Sequence, residues 1–578
     1  MLATARSVRL AVIALALASA LAARLVEHFA LRDVPHVMDE IAYVLEAKLM
    51  ATGHVTGPVA LPRAAFNMWF VDDRAARFGI FPPGWPALLA VGVRVGLTCW
   101  INPLVHLATV IVVGRAGARI GGPRLELGAA LLYAASPQAV LLAASLMSHA
   151  LVALAASIVT LAMATLLEQP RPRRSTFISA GVALGIAVVT RPLCAVVLAL
   201  PFFAFAVLRA PRLAPLAAAI VTPFLAALGA FNRALTGSAL RFPQSAYFDE
   251  HIAPANVPFF TYGKGCNALG FGAACDHTVR GAVHSLASAV SDAGDNLRAW
   301  SLLVAGPVLF LGVGVALARA RTRRVARWLA LPSFLAVGLY GLYWQAGVCY
   351  GARFYHAALP ALVVLVALGI GSLPKPARAR GGDDTEPSSE SPRPIGSRFA
   401  FRAALVAALL FDAGGFVVSL RELTSWSWWG TDDRFAELER HWHDGRAVVM
   451  VAFGPDDVKN PPLFATAAAE SGTWLLGIRA LGALARNPPR MEEADVVFAK
   501  FHPALVGELA ARFPDRKLWV YTAWADRTKD VLEPWSSERF AGHAYRRPAD
   551  NFDGFRVTRP YELPPTILRE PTDEGWPP

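Results

Sequence analysis

The chain has 578 residues, 55% hydrophobic and only 17% charged, with a mean hydropathy of +0.42 and a formal net charge of +12. Soluble globular proteins carry about 25% charged residues, so the composition excludes an ordinary soluble enzyme and points to a polytopic membrane protein. The positive balance requires no nucleic-acid partner, because Lys and Arg of membrane proteins gather in cytoplasmic loops.

Apolar stretches of about the 20 residues needed to cross a bilayer are predicted near 8–31, 86–113, 125–143, 146–167, 176–190, 193–208, 213–231, 301–318, 328–345, 357–373 and 402–420. With the N-terminus cytoplasmic, every second connection should be basic. Arg115, Arg119 and Arg124 satisfy this, as do Arg171, Arg173 and Arg174, then Arg209 and Arg212. Further on, Arg319, Arg321, Arg323, Arg324 and Arg327 follow, and then Lys375, Arg378, Arg380 and Arg393. This alternation supports eleven spans. The expected fold is mainly α: a polytopic helical domain over 1–420, with a small α/β extracytoplasmic domain over 424–578. The first span also fits a cleavable signal peptide, since Arg6 and Arg9 precede an apolar run ending in ALASALAA (15–22).

The opposite side then receives the loops 32–85 and 232–300, the turn YGARFYH (350–356) and the C-terminal segment. Segment 374–397, rich in Pro, Ser and charge, reads as a cytoplasmic linker. The runs AVVMVAF (447–453), ADVVFA (494–499) and KLWVY (517–521) are candidate strands of the C-terminal domain. Five cysteines show neither CxxC nor Cys/His metal spacing, and Asp72 and Asp73 in VDDR read as solvated, so no metal is expected.

The stretch HVMDEIAYVLEAK (36–48) places two carboxylates just past the first span. Both have a local reading, with Asp39 capping a helix and Glu40 favouring its positive end. Neighbours on a helix point about 100° apart, so Asp39, Tyr43 and Glu46 share a face that Glu40 does not. In FGIFPPGWPALLA (78–90), two prolines and a glycine start a helix and Trp85 suits an interfacial anchor.

Together with the DE pair, this stretch and the motifs WINPLVHLATV (100–110), SPQAVLLAASLMSHA (136–150), VVTRPLC (188–194) and YGARFYHAALP (350–360) resemble bacterial polytopic glycosyltransferases of the GT-C superfamily. That group contains protein O-mannosyltransferases and the aminoarabinose transferase of lipid A. The resemblance covers about residues 1 to 420. It implies transfer of a sugar from a polyprenyl-phosphate donor to an acceptor hydroxyl on the outer face, with an acid from the first outer loop as general base. Asp39 matches that acid, with inversion at the anomeric carbon, and Glu40 would hold the helix or position the acceptor. Arg191 and Arg353, with Lys264 as a weaker third, are the candidates for the donor phosphate; snorkelling toward lipid headgroups is the alternative.

Tyr43, His149, Tyr350, Tyr355 and His356 are candidates for a sugar or acceptor pocket, set against simple packing or an aromatic belt. Cys266 and Cys275 bracket a small loop that a disulfide would close in an oxidising compartment, free thiols being the alternative. No cofactor is expected, although some GT-C enzymes use a divalent metal. The expected partners are the lipid-linked sugar, membrane lipids and an acceptor that is a protein, a glycan or a lipid. The expected location is a bacterial inner membrane, with the C-terminal domain outside. The rival functions are a transporter or lipid flippase, or a non-catalytic scaffold. Transporters often show internal repeats and charges near the midplane; here no repeat is visible and the charges cluster at one face.

Overall fold

Helices occupy all eleven predicted stretches, and among the described residues seven are long and apolar enough to cross a membrane alone, eight if one bent pair counts as a single span. The structure is a computed structural model describing residues 5–169, 171–251, 284–343, 347–373, 398–425, 431–453, 482–501, 505–524 and 527–537. Lys264, Cys266 and Cys275 lie outside the described residues.

Helix α1 (Ala5–Phe29) packs along α5 (Ile101–Ala135). Between them lie α2 (Met38–Ala51), the short α3 (Arg63–Phe66), a hairpin of β1 (Val71–Asp72) and β2 (Phe78–Gly79), and α4 (Gly84–Val95). The expected span 86–113 is therefore two elements. Helix α4 ends on Gly96 in a left-handed conformation, and its two ends approach Thr190 and Ile101, both at helix termini, so it lies across one end of the bundle. The crossing starts only at Ile101. Helix α5 in turn reverses at Gly121 and Gly122, whose backbone is non-helical, so that Gly114 packs on Ala130 and Gly117 on Leu125. Pro123 then starts the returning arm, at the position where a helix needs no N–H.

Helices α6 (Pro137–Ala144), α7 (His149–Glu168), α8 (Arg174–Thr190), α9 (Pro192–Arg209) and α10 (Ala214–Thr236) follow in short up-and-down connections. After α11 (Pro243–His251), helix α12 (Leu286–Leu303) turns by 103° into α13 (Pro307–Ala318). The break exposes backbone donors inside an apolar bundle, where each unsatisfied group is costly. Asp412 of α16 answers it, accepting from the Ala305 amide at 2.7 Å. Helices α14 (Ala320–Tyr340), α15 (Leu359–Gly371) and α16 (Arg398–Ser425) complete the bundle. Gly369 meets the backbone of Gly312, the close approach of small residues that lets helices pack without a hydrophobic driving force.

The C-terminal part carries a four-stranded sheet in the order β4-β3-β5-β6, from β3 (Ala447–Phe453), β4 (Val496–Lys500), β5 (Lys517–Ala523) and β6 (Val531–Pro534). Strands β4, β3 and β5 are parallel and β6 is an antiparallel edge. The near-continuous apolar runs of β3 and β4 are those of strands covered on both faces.

Candidate active site

The site is built around the tight turn Ser145–Ser148, between α6 and α7. Asn102, one residue into α5, donates to the carbonyls of Ser145 (2.6 Å) and Met147 (2.9 Å). The Trp85 indole donates to the Leu146 carbonyl at 2.8 Å. Glu40 accepts from the Leu146 amide at 3.2 Å and, from its own helix start, from the amides of His36 (2.6 Å) and Val37 (3.3 Å). The turn's polar backbone is thus paired with α2, α4 and α5 at once. Trp85 is fully buried, which corrects its expected place as an interfacial anchor.

Glu40 is 1% exposed and its carboxylate is occupied by three backbone amides. Burial raises its pKa, with the amides and His36 pulling the other way. These contacts tie the start of α2 to the Ser145–Ser148 turn. Glu46, one face over, accepts from the Phe81 amide at 3.0 Å and anchors the FGIFPP segment; burial holds its carboxyl well above the usual range.

Asp39 points the other way. Its carboxylate lies 3.5 Å from Nη1 of Arg353, which belongs to the loop between α14 and α15 and follows Asp39 by 314 positions. Arg191, at the junction of α8 and α9, donates to the Ser148 hydroxyl at 3.4 Å. Tyr43, one helical turn beyond Asp39, shares a hydrogen bond of 3.1 Å with the same hydroxyl; burial raises its pKa, so it stays a protonated donor. Both guanidiniums sit against the ring of Phe354, at 5.5 Å for Arg191 and 5.1 Å for Arg353, while Tyr340 stacks on that ring at 4.9 Å. Nε of each arginine is buried without a hydrogen-bond partner. Two buried cations with unused donors therefore flank one aromatic ring, and one of them meets a carboxylate, an arrangement suited to an anion.

The loop that carries Arg353 is held by Gln138 of α6, whose side chain accepts from the Ala352 amide (3.0 Å) and donates to its carbonyl (3.3 Å). Gly351 has φ +94°, and an added Cβ would lie 2.8 Å from that Gln138 oxygen, so only glycine fits here. Tyr350 interacts with Glu40. His149, the first residue of α7, is buried with neither ring nitrogen hydrogen-bonded. Tyr355 packs edge-on against Trp300 at 5.4 Å, and His356 lies against Gln138 at 3.3 Å. Both side chains make contacts inside the protein. Gln138, Ser148, Phe354 and Asn102 were not expected at the site, though each lies inside a quoted motif.

Among the described residues, one group with metal-ligand atoms close together is Glu27, Asp33 and Cys99, within 4.8 Å of one another. Asp33 is already paired there with Arg24 (2.6 Å) and His28 (2.7 Å). Asp72 and Asp73 have Arg74 and Arg77 as partners.

No protein family and no curated protein matches the sequence. By structure the chain resembles ArnT from Cupriavidus metallidurans bound to undecaprenyl phosphate, at a TM-score of 0.50 and 14% identity, over 88% of this chain and 93% of that one. ArnT of the same organism in the apo state gives 0.47 and 14%, over 88% and 92%. The archaeal oligosaccharyltransferase AglB from Archaeoglobus fulgidus, in complex with an inhibitory peptide and a dolichol-phosphate, gives 0.40 and 12%, over 88% and 69%. The likeness to ArnT is one of fold: the chain shares that protein's overall architecture, and its long apolar helices mark a multi-pass membrane protein.

Proposed function

We propose that the protein is a membrane glycosyltransferase that moves a sugar from a polyprenyl-phosphate donor to an acceptor hydroxyl on the outer face of its membrane. An alcohol is a poor nucleophile, and a carboxylate within hydrogen-bond reach takes its proton as the new C–O bond forms, worth about 10²–10⁴ in rate. Asp39 is that base. The acceptor oxygen attacks the anomeric carbon from the face opposite the phosphate, with inversion, as its proton passes to Asp39. The bond that breaks joins the anomeric carbon to the phosphate oxygen, and charge builds on the departing lipid phosphate. Arg353 and Arg191 stabilise that charge, with Tyr43 as a neutral donor beside them. An arriving phosphate competes with Asp39 for Arg353 and frees the carboxylate to act as base.

The observation that carries this reading is the convergence of Asp39, Arg353 and Arg191 from three distant parts of the chain. The fold shared with ArnT, a protein solved with undecaprenyl phosphate bound, supports the class of lipid carrier. The orientation, N-terminus cytoplasmic and C-terminal domain outside, belongs to this proposal and rests on the alternation of basic connections. The test offers the purified full chain a panel of polyprenyl-phosphate sugars and scores sugar release or transfer. At least one donor should turn over, and Asp39→Asn should lose that turnover while keeping its fold and its affinity for polyprenyl phosphate. An intact protein inactive with every donor and acceptor would favour transport instead.

A further inference from the structure

We infer that the C-terminal α/β domain is a two-point clamp on α2 that sets the position of Asp39, with Lys48 and Thr431 as its positioning residues; this rests on the proposed role of Asp39. At the start of α2, the Thr431 hydroxyl meets Nδ1 of His36 at 2.9 Å. The other ring nitrogen of His36 contacts the Leu31 carbonyl at 2.7 Å, which makes Nε2 the protonated nitrogen and Nδ1 the acceptor from Thr431. The His36 amide in turn donates to Glu40. At the far end of α2, Lys48 Nζ donates to three consecutive carbonyls of the C-terminal domain, Ala485 (2.7 Å), Arg486 (2.9 Å) and Asn487 (3.1 Å). These close a helical turn, where orphan carbonyls accept cations.

Both anchor points are rooted in the same sheet. The Asn487 side chain pairs with the amide and carbonyl of Phe498 in β4 at 2.9 and 2.8 Å. Three residues past Thr431, Arg434 bonds Asp432 and Asp530, and Asp530 accepts from Tyr521 of β5 at 2.6 Å. Fourteen residues of helix separate the two ends of α2 by about 20 Å at 1.5 Å per residue. One tether would leave the helix free to pivot. Two tethers at that separation, tied to one rigid sheet, hold both its tilt and its rotation. Asp39 sits in the first turn, next to the Thr431 anchor, and a displacement of about 1 Å at a reacting group can lower the rate about 10²-fold.

The test uses the full chain in nanodiscs, with Lys48→Met, Thr431→Val, the double variant and Lys48→Arg. Each single change should lower turnover of an accepted donor about tenfold and the double change about a hundredfold, and Lys48→Arg should recover part of the loss. Affinity for polyprenyl phosphate alone should fall far less than turnover, since Arg191 and Arg353 lie on other elements and α2 carries only Tyr43. Amide exchange across residues 36–51 should quicken in the double variant, a readout that needs no substrate. Unchanged exchange would overturn the clamp, and faster exchange with full turnover would overturn its positioning role. Should Asp39→Asn keep full turnover, the catalytic reading fails whatever the exchange shows.

Discussion

Asp39 and Glu40 are chemically near-identical neighbours, and one step of helical rotation separates their fates. Glu40 turns toward the buried Ser145–Ser148 turn and spends its carboxylate on amides; Asp39 turns toward Arg353. Replacing Glu40 by Gln puts an NH₂ where only acceptors fit, so one of three amides loses its partner. Glu40→Gln should destabilise the protein by about 1–3 kcal/mol, read as a lower thermal midpoint in detergent. Arg353→Lys keeps the charge but removes the planar fork that grips phosphate through two bonds. It should weaken polyprenyl-phosphate binding about tenfold or more while leaving the thermal midpoint nearly unchanged, as titration with a short-chain polyprenyl phosphate would measure. The pairing of Asp39 with Arg353 was legible only as a bet on two residues from one side of the membrane. No local pattern links positions 314 apart.

At the level of elements, long apolar helices were easy to read because hydropathy alone reports them. Less legible were the places where the backbone departs from a straight crossing. The stretch 86–113 reads as one apolar run, yet Gly96 in a left-handed conformation ends α4 and turns the chain before α5 begins. The same holds for the break between α12 and α13, which Asp412 stabilises from a helix more than 100 residues later. Contacts between helices depend on which small residues face each other, and Gly369 against Gly312 is one such contact. Gly369→Val would force α13 and α15 apart, and overpacking of this kind typically costs about 1–3 kcal/mol. The expected outcome is a lower thermal midpoint, while the milder Gly314→Ala, in open space on α13, leaves it unchanged.

Across the whole molecule, the C-terminal domain is joined to the membrane bundle by buried polar contacts as well as apolar ones. Phe66 meets Phe513 edge-on at 6.3 Å, and Lys500, at the end of β4, donates to Asn67. Lost hydration and the nearby Arg77 pull the Lys500 amine down to about 7, with Asp73 opposing, against an ordinary value of about 10.4. Between those values the unfolded chain holds a proton that the folded one has released. Stability should therefore rise with pH through that window and lie at its lowest below pH 7. Thermal midpoints of the intact chain from pH 6.5 to 9 should climb, and Lys500→Met should flatten much of the climb. Lys48, lowered to about 8 by burial, adds a residual slope of the same sign.

The amino-acid order alone determined the membrane class, the alternation of basic connections, the strands of the small sheet and the candidate residues of the proposed chemistry. These follow from composition and periodicity, which act over a few turns of chain. Tertiary structure alone decided that Glu40 is a strut, that Trp85 is buried, that Arg191 and Arg353 share the ring of Phe354, and that α2 is gripped at both ends. Each of these is a contact between segments far apart in the chain, and a buried polar group finds its partner only once packing has excluded water from it.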